Sequence, residues 1–370
     1  MRRLLVCLAL LLLLGANAYA EEAARRALKE VGLDGIADFA AEYGSEVDPT
    51  VIAEAALRGD MPDMRELFDM LKARLAAPVM EALRLGRSLL APVLLLALMR
   101  CATPDGTGGS GGVRFLLRLA LLTGFCEPAV RSLSASADCI RAAKALAGAA
   151  APVLTALLAA MGMAGTSALV SPAAALAGDT AEGLFLGWGM PLCRFALCTA
   201  IAGNLTPAVD LSGAAKLMRK AVNWGSGLAI TLFTAMLALQ GSVTGPADGV
   251  AVRAAKFAVD SAAPVIGSGV SDAWDSYISG VMIAKNAVGL SGIAALLGVA
   301  LRPMLVCAAS MLTLNLISAL LSALGEGETA RAADQISGIC QMALSLATGA
   351  VAIATVLLGA AMAAGSNLAG

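Results

Sequence analysis

Residues 88–370 contain so few charged side chains that this part of the chain is predicted to lie in a membrane. It has 13 acidic and 15 basic residues in 283 positions, whereas residues 21–87 have 14 acidic and 9 basic residues in 67 positions. Ordinary soluble domains contain about 25% charged residues, but the chain as a whole contains 14%. We therefore predict an all-α, polytopic membrane protein, with a transmembrane helical bundle over residues 88–370 and a small polar region before it.

Candidate membrane spans follow from the apolar segments of this bundle. A transmembrane helix needs about 20 apolar residues, so we predict about six to eight spans. The first segment is short, and the second contains Arg118 and Glu127. The segments lie at about 88–101, 115–134, 145–168, 183–203, 224–243, 278–300, 302–324 and 339–364.

The charges between these segments predict the orientation of the bundle. The basic connection Lys216–Lys220 and the connection at Arg302 are expected in the cytoplasm, because basic connections tend to stay there. With both inside, residues 244–277 and the acidic connection with Glu326 and Glu328 fall outside, and the C-terminus falls inside. The two glutamates flank a glycine, and we expect them to be solvated.

The N-terminal residues 1–20 have the features of a secretory signal peptide. Arg2 and Arg3 precede the apolar stretch Leu4–Leu14, and Ala18-Tyr19-Ala20 forms an A-x-A cleavage site before Glu21. An uncleaved membrane anchor is the alternative. Cleavage would leave residues 21–87 as an extracytoplasmic region directly after the signal.

Residues 21–87 have the periodicity of amphipathic helices. Ile36 and Phe39 belong to a first helix, and the apolar positions of 64–71 mark a third. Asp48-Pro49 predicts the start of a second helix, because a capping residue is followed by proline at the first helical position. So short a region builds little core of its own, so we expect it to pack on the bundle or on another protein.

The composition excludes several kinds of chemistry. The chain contains no histidine, which removes Ser-His-Asp and Cys-His nucleophile activation, HExxH zinc sites and imidazole proton relays. The eight cysteines lie mostly in apolar runs without a C-x-x-C pair, so we interpret them as buried thiols. No lysine follows a glycine, so the chain has no phosphate-binding P-loop. We predict no catalytic, cofactor or metal site and no nucleic-acid partner; the protein is not expected to be an enzyme.

A Pro/Gly break within residues 248–278 separates two amphipathic patterns. Arg253, Lys256 and Asp260 share one helical face before Pro264–Gly267, and a second pattern begins with Asp272. Two amphipathic helices joined at such a corner predict a hairpin that is interfacial or re-entrant. A solvated loop of two surface helices is the alternative.

Ionisable side chains also occur inside apolar segments. Lys285-Asn286 interrupts one of them, which marks a functional or pairing site, unless Lys285 extends to the membrane surface. Arg194 in another segment has the same two interpretations, a pairing site or a side chain that extends to the membrane surface. Asp179 or Glu182 is its candidate partner.

A set of short motifs in fixed order gives the strongest functional indication. The motifs are Gln240-Gly241, Asp248-Gly249, Lys256-Phe257, Pro264-Val265 with Gly267, Asp272, and Lys285-Asn286-Ala-Val288-Gly289. Their order and spacing resemble the stage III sporulation protein AE family of endospore-forming bacteria, over nearly the whole chain. Ala262-Ala263 departs from the bulky or aromatic residues that this family often has there. The candidate assembly or pore residues are Asp248, Gly249, Arg253, Lys256, Asp260, Pro264, Gly267, Asp272, Lys285 and Asn286.

The resemblance implies a multipass subunit of the apparatus that joins the mother cell to the forespore, with a structural or conducting role. It implies a location in the mother-cell membrane surrounding the forespore. The implied partners are ring-forming membrane proteins, a separate cytoplasmic ATPase, a forespore protein and membrane lipids. A stand-alone secondary transporter is the alternative from the residues, because Lys285, Arg194 and the break at Pro264 resemble the discontinuous helices of such proteins.

Overall fold

The computed structural model describes residues 22, 24–27, 32–45, 47–58, 80, 84, 86–99, 110–205, 212–262 and 267–365. These residues form helices and turns and contain no strand, which confirms the all-α prediction for this part of the chain. The helices are α1 (Asp34–Glu42), α2 (Pro49–Arg58), α3 (Gly86–Met99), α4 (Ser110–Ala160), α5 (Ala164–Asp179), a π-helical segment (Thr180–Gly189), α6 (Met190–Leu205), α7 (Ser212–Ala262), α8 (Gly267–Ala323) and α9 (Gly327–Ala363).

Five helical stretches in the described residues are long and apolar enough to cross a membrane. They are Gly112–Ala160, Ala164–Leu205, Gly213–Ala254, Trp274–Ala323 and Gly327–Ala363. Their number is below the eight predicted segments, because 115–134 and 145–168 largely share α4, while 278–300 and 302–324 share α8. Residues 135–144 and Pro303 interrupt the apolar sequence but not the helix. The first predicted segment overlaps α3, whose described length is too short to cross.

Glycines in the left-handed conformation end three of these helices. Gly162 (φ 78°), Gly325 (φ 80°) and Gly365 (φ 80°) follow α4, α8 and α9. After α4 the Met163 amide donates to the Leu158 carbonyl at 3.1 Å, which closes the last turn. Only glycine adopts this conformation without steric cost, so these positions fix where the three helices end.

α9 lies at the centre of the bundle and contacts α4, α5, α6, α7 and α8. Two buried serines join the helices across this core. Ser136 Oγ of α4 donates to the Ala343 carbonyl of α9 at 2.7 Å, and Ser337 Oγ of α9 bonds to Asn315 Oδ1 of α8 at 2.6 Å. Small side chains allow the close backbone approach that stabilises helix association in lipid.

The connections before α7 and before α9 lie at the same end of the bundle. Asn204, near the end of α6, donates to Gln335 Oε1 of α9 at 3.1 Å, and Arg219 of α7 contacts Gly338. The basic and acidic connections therefore face the same side of the membrane, and the prediction that they lie on opposite sides is wrong. The prediction failed because it counted α8 as two crossings.

Buried ion pairs close the turn between α8 and α9 against the start of α4. Glu326 is 1% exposed, and its carboxylate accepts from Arg114 at 3.1 Å and from Arg118 at 3.0 Å. Arg118 also pairs with Glu328 at 2.5 Å. The expectation that Glu326 is solvated is therefore wrong. Two arginines of α4, more than 200 positions earlier in the sequence, contact its carboxylate, and the residues next to Glu326 give no sign of them.

The described part of the N-terminal region packs on the bundle, as one of the two expectations stated. Ile36 and Phe39 of α1 are buried, and Gly35 lies against the Ala149 carbonyl of α4. Ser45 and Val47 pack closely on Gly298 of α8. Residues 1–20 and the predicted helix at 64–71 lie outside the described residues, so signal cleavage and the side of the membrane stay predictions.

Asp48 caps α2, which confirms the predicted helix start. Its Oδ1 accepts hydrogen bonds from the Thr50 amide at 2.9 Å and from the Thr50 hydroxyl at 2.7 Å. The Thr50 side chain and amide hold the pKa of Asp48 below its ordinary value. The carboxylate is therefore ionised above that ordinary value, and the cap is lost as the pH falls through the lowered pKa.

The two arms of the predicted hairpin are continuations of membrane-crossing helices. α7 extends without interruption to Ala262 and contains Pro246, and α8 begins at Gly267. In the first arm, Val250 and Phe257 are exposed, whereas Ile278 in the second arm is buried. The corner at 263–266 lies outside the described residues, so the hairpin and its place relative to the membrane stay predictions.

Candidate functional site

A candidate functional site lies where the start of α5, the end of α9 and the middle of α7 meet. α5 begins after the turn at Gly162, and the first amides of a helix have no partner within the helix. Asp248 of α7 supplies one. Its Oδ1 accepts from the Gly165 amide at 2.9 Å, and its Oδ2 accepts from the Thr166 amide at 2.7 Å and the Thr166 hydroxyl at 2.6 Å.

This contact explains how Asp248 is buried as a carboxylate. The residue is 6% exposed, and among the described residues no basic side chain lies within ion-pair distance of it. Three hydrogen bonds and the positive end of the α5 dipole stabilise the charge instead. Asp248 therefore fixes α7 to the break between α4 and α5.

Gly165 is required by this close approach. A side chain there would place its Cβ 2.9 Å from Asp248 Oδ1, closer than real Cβ atoms come to other atoms. Thr244 lies one turn before Asp248, and its hydroxyl is 3.4 Å from that of Thr166. The sequence analysis did not predict Thr166 or Thr244 as site residues. A Gly-Thr pair three residues after a helix-ending glycine was the available signal for a helix start.

Lys285 of α8 caps the C-terminal end of α9. It is fully buried, and its Nζ donates to the Met362 carbonyl at 2.9 Å and to the Ala364 carbonyl. These carbonyls belong to the end of α9, where the helix dipole favours a cation. In the structure Lys285 is thus a pairing residue at the end of α9, and its position relative to the membrane surface stays a prediction.

Two glycines bring the end of α9 close to its neighbours. Gly289 of α8 packs on the Met362 side chain, and a Cβ on Gly365 would lie 2.8 Å from the sulfur of Met163. Met163 belongs to the turn between α4 and α5. The end of α9 is therefore held between Lys285 on one side and the turn that Asp248 holds on the other.

Two adjoining cavities open between these helix ends. The first has a volume of about 510 Å³ and is mainly apolar, with polar groups at Thr166, Gln240 and Thr244. The second, about 530 Å³, is lined by Gly249 and Arg253. Met163, Gly241, Gly245 and Gly365 contribute to both. The polar atoms of Asp248 and Lys285 are bonded to helix ends, so these two residues hold neighbouring helices together. The cavities beside them offer an apolar binding space.

The structure brings four of the ten predicted site residues to this place: Asp248, Gly249, Arg253 and Lys285. Asn286, the residue after the buried Lys285, is exposed. Gly267 begins α8. Pro264 lies outside the described residues, and so do the side chains of Lys256, Asp260 and Asp272, although their backbones are helical.

Arg194 does not pair with Glu182, one of the two partners predicted for it. Glu182 pairs with Lys144 of α4 instead, and Arg194 is exposed on α6. Within the described residues, no group of three or more His, Cys, Asp or Glu side chains is placed to hold a metal ion.

Comparison with known proteins identifies the family. The profile of the stage III sporulation protein AE family matches residues 112–365. The chain belongs to the stage III sporulation protein AE family. The matched region starts in the first turn of α4 and ends at Gly365, so it includes all three helix ends of the candidate site.

A curated member of the stage III sporulation protein AE family aligns with the same chain. The stage III sporulation protein AE of Bacillus subtilis (strain 168) is 30% identical over 186 residues, which cover 50% of this chain and 47% of the relative. The aligned stretch thus spans about half the length of that relative. No solved structure matches the chain.

Proposed function

We propose that this chain is a multipass membrane subunit of the channel or secretion-like apparatus that joins the mother cell to the forespore during endospore development. The observation that carries the proposal is the family match over residues 112–365, which include all five helical stretches that are long and apolar enough to cross a membrane. Five helices able to cross a membrane support a place within the membrane. The proposed role is structural or conducting.

The proposed partners supply the chemistry that this chain lacks. The sequence has no histidine and no P-loop lysine, so ATP hydrolysis is assigned to a separate cytoplasmic ATPase. Ring-forming sporulation membrane proteins and membrane lipids are the other proposed partners. Catalysis, cofactors and nucleic acid have no part in the proposal.

The proposed location is the mother-cell membrane that surrounds the forespore. Arg114, Arg118 and the basic start of α7 lie at one end of the bundle, together with the α8–α9 turn. By the positive-inside rule this end faces the mother-cell cytoplasm. The candidate site at the other end then faces the space between the two membranes, as we propose also for the N-terminal region.

A stand-alone secondary transporter is the second candidate, because a cavity of about 510 Å³ lies beside a broken helix. In transporters of this kind, free helix ends bind the substrate. Here Asp248 occupies the start of α5 and Lys285 occupies the end of α9. The groups that would bind a substrate are therefore already bonded within the protein, which favours the structural role.

Deleting the gene and counting heat-resistant spores separates the two functions. We expect a loss of several orders of magnitude, restored by the wild-type chain, because forespore development would stop without the apparatus. Vegetative uptake of solutes should be unchanged. Normal spore numbers together with altered uptake of one solute would contradict the proposal and favour the transporter.

A further inference from the structure

A row of charged side chains follows the outward face of α4 in the middle of the bundle. We call these residues, together with two acidic residues from α5 and the π-helical segment, the charged strip. They are Glu127, Arg131, Asp138, Arg141, Lys144, Asp179 and Glu182. The side chains of the three ion pairs within the strip are between 44% and 69% exposed. The strip is therefore a surface feature, although it lies in a bundle that crosses the membrane.

Contacts with α9 show the depth of the charged strip. Ser136, between Arg131 and Asp138, bonds to Ala343, and Phe185, one turn after Glu182, packs against Gly349. Ala343 and Gly349 lie near the middle of α9, in residues 336–363, which contain no charged side chain. The strip is thus level with the most apolar part of the central helix.

The surface along α7 has the composition expected for contact with lipid. Along α7, Trp224, Leu228, Leu232 and Leu239 are all exposed. Ser226, between the first two, lies 3.4 Å from Ser345 of α9, so this apolar surface is at the same depth as the strip. The charged strip and this apolar surface therefore differ in composition at the same depth.

Exposure of the charged strip to lipid would cost a large free energy. Ionisable side chains within a membrane face a water-filled cavity or another protein, and they pair with one another. The strip shows such pairing: Asp138 with Arg141 at 2.8 Å, and Lys144 with Glu182. The side chains of the pairs remain about half-exposed at the surface of the chain.

We propose that the charged strip faces a water-filled passage within the membrane and that a second copy of this chain closes the passage. This inference deepens the proposed function, since it names the face along which a hydrated solute would move. Three basic and four acidic residues make the strip almost neutral. Two copies related by an axis normal to the membrane would face each other at the same depth, and each strip offers both signs of charge to the other.

A groove beside the strip supplies the contact surface for the second copy. It has a volume of about 590 Å³ between α4 and α5 and ends at Lys144 and Asp179. Gly148, Ala151 and Ala174 are among the small residues that line it. Small residues let the backbone of a neighbouring helix approach closely in a membrane, so the copies would touch here and leave the charged strip hydrated.

Thiol labelling in sealed vesicles that contain only this chain tests both parts of the proposal. In a variant without the native cysteines, Ser134→Cys lies within the strip and Leu232→Cys is the lipid-facing control. A membrane-impermeant thiol reagent should modify Ser134→Cys at least about tenfold faster, because thiols ionise in water and not in lipid. Oxidation of a Gly148→Cys variant should give a covalent dimer of this chain.

Each part of the proposal has its own contrary result. Labelling of Ser134→Cys as slow as that of Leu232→Cys would overturn the water-filled passage. Fast labelling without a covalent dimer at Gly148→Cys would overturn the second copy. Hydroxyl-radical footprinting of the unmodified chain repeats the comparison without cysteine replacement, with more oxidation expected in 127–144 than in 224–239. These results do not depend on sporulation, so the proposed function can fail separately.

Discussion

Replacing Asp248 by alanine is expected to lower the free energy of unfolding by about 3 kcal/mol or more, because a buried donor without a partner costs about 1–3 kcal/mol. The change leaves the amides of Gly165 and Thr166 and the Thr166 hydroxyl without their acceptor. Denaturant titration of the full chain in mixed micelles measures the effect. Spore formation by a strain with this variant should fall in parallel, because α5 loses its connection to α7.

Three further variants control the Asp248 measurement. Asp248→Asn keeps one acceptor oxygen and should be intermediate. Thr166→Val removes only the hydroxyl contact and should cost about 1 kcal/mol. Ser242→Ala changes an exposed residue of the same helix, which bonds to the Leu239 carbonyl, and should stay within about 0.5 kcal/mol of the wild type. If Asp248→Ala were as stable as Ser242→Ala, the carboxylate would not hold the start of α5.

Replacing Glu326 by alanine is expected to cost about 2–3 kcal/mol, because two charge-assisted hydrogen bonds are lost. The cost stays below that of breaking a fully buried pair, since Arg114 and Arg118 are 20% and 36% exposed and Arg118 keeps its pair with Glu328. Arg114 and Arg118 would then face each other beside the α8–α9 turn without the carboxylate that both contact. The same titration in micelles measures this loss. Limited proteolysis should also cleave the variant at the turn, since the start of α4 no longer holds it.

Glu54 provides the matched control for Glu326. It is 63% exposed and pairs with Arg58, one turn away on α2, at 3.4 Å. Exposed pairs contribute little, so Glu54→Ala should change stability by less than about 0.5 kcal/mol. Combining Glu326→Ala with Arg118→Ala should recover part of the loss. Equal stability of Glu326→Ala and Glu54→Ala would show that the buried pairs do not hold the turn.

Local sequence signals predicted the features that depend on neighbouring residues. Hydropathy indicated the helical membrane bundle, and the Asp48-Pro49 pair located the start of α2. The burial of Ile36 and Phe39 also followed from their spacing. These features depend on residues within one or two helical turns, which is the range over which periodicity and capping are visible.

Features that depend on distant partners were not visible. Glu326 meets Arg118 across 208 positions of sequence, so its burial could not be read from the surrounding Gly and Glu residues. Asp248 belonged to the predicted site, but its role depends on amides 82 and 83 positions earlier. Lys285 was recognised as unusual, whereas its partner, the end of α9, is defined only by the fold.

Purification of the full-length tagged chain from membranes of sporulating cells tests the proposed function most directly. After mild crosslinking, we predict that the separate ATPase and the ring-forming sporulation membrane proteins copurify with the wild-type chain. We predict that they are reduced with Asp248→Ala when equal amounts of chain are compared. Recovery of the wild-type chain without these partners, from cells at the stage of forespore engulfment, would contradict its assignment to the apparatus.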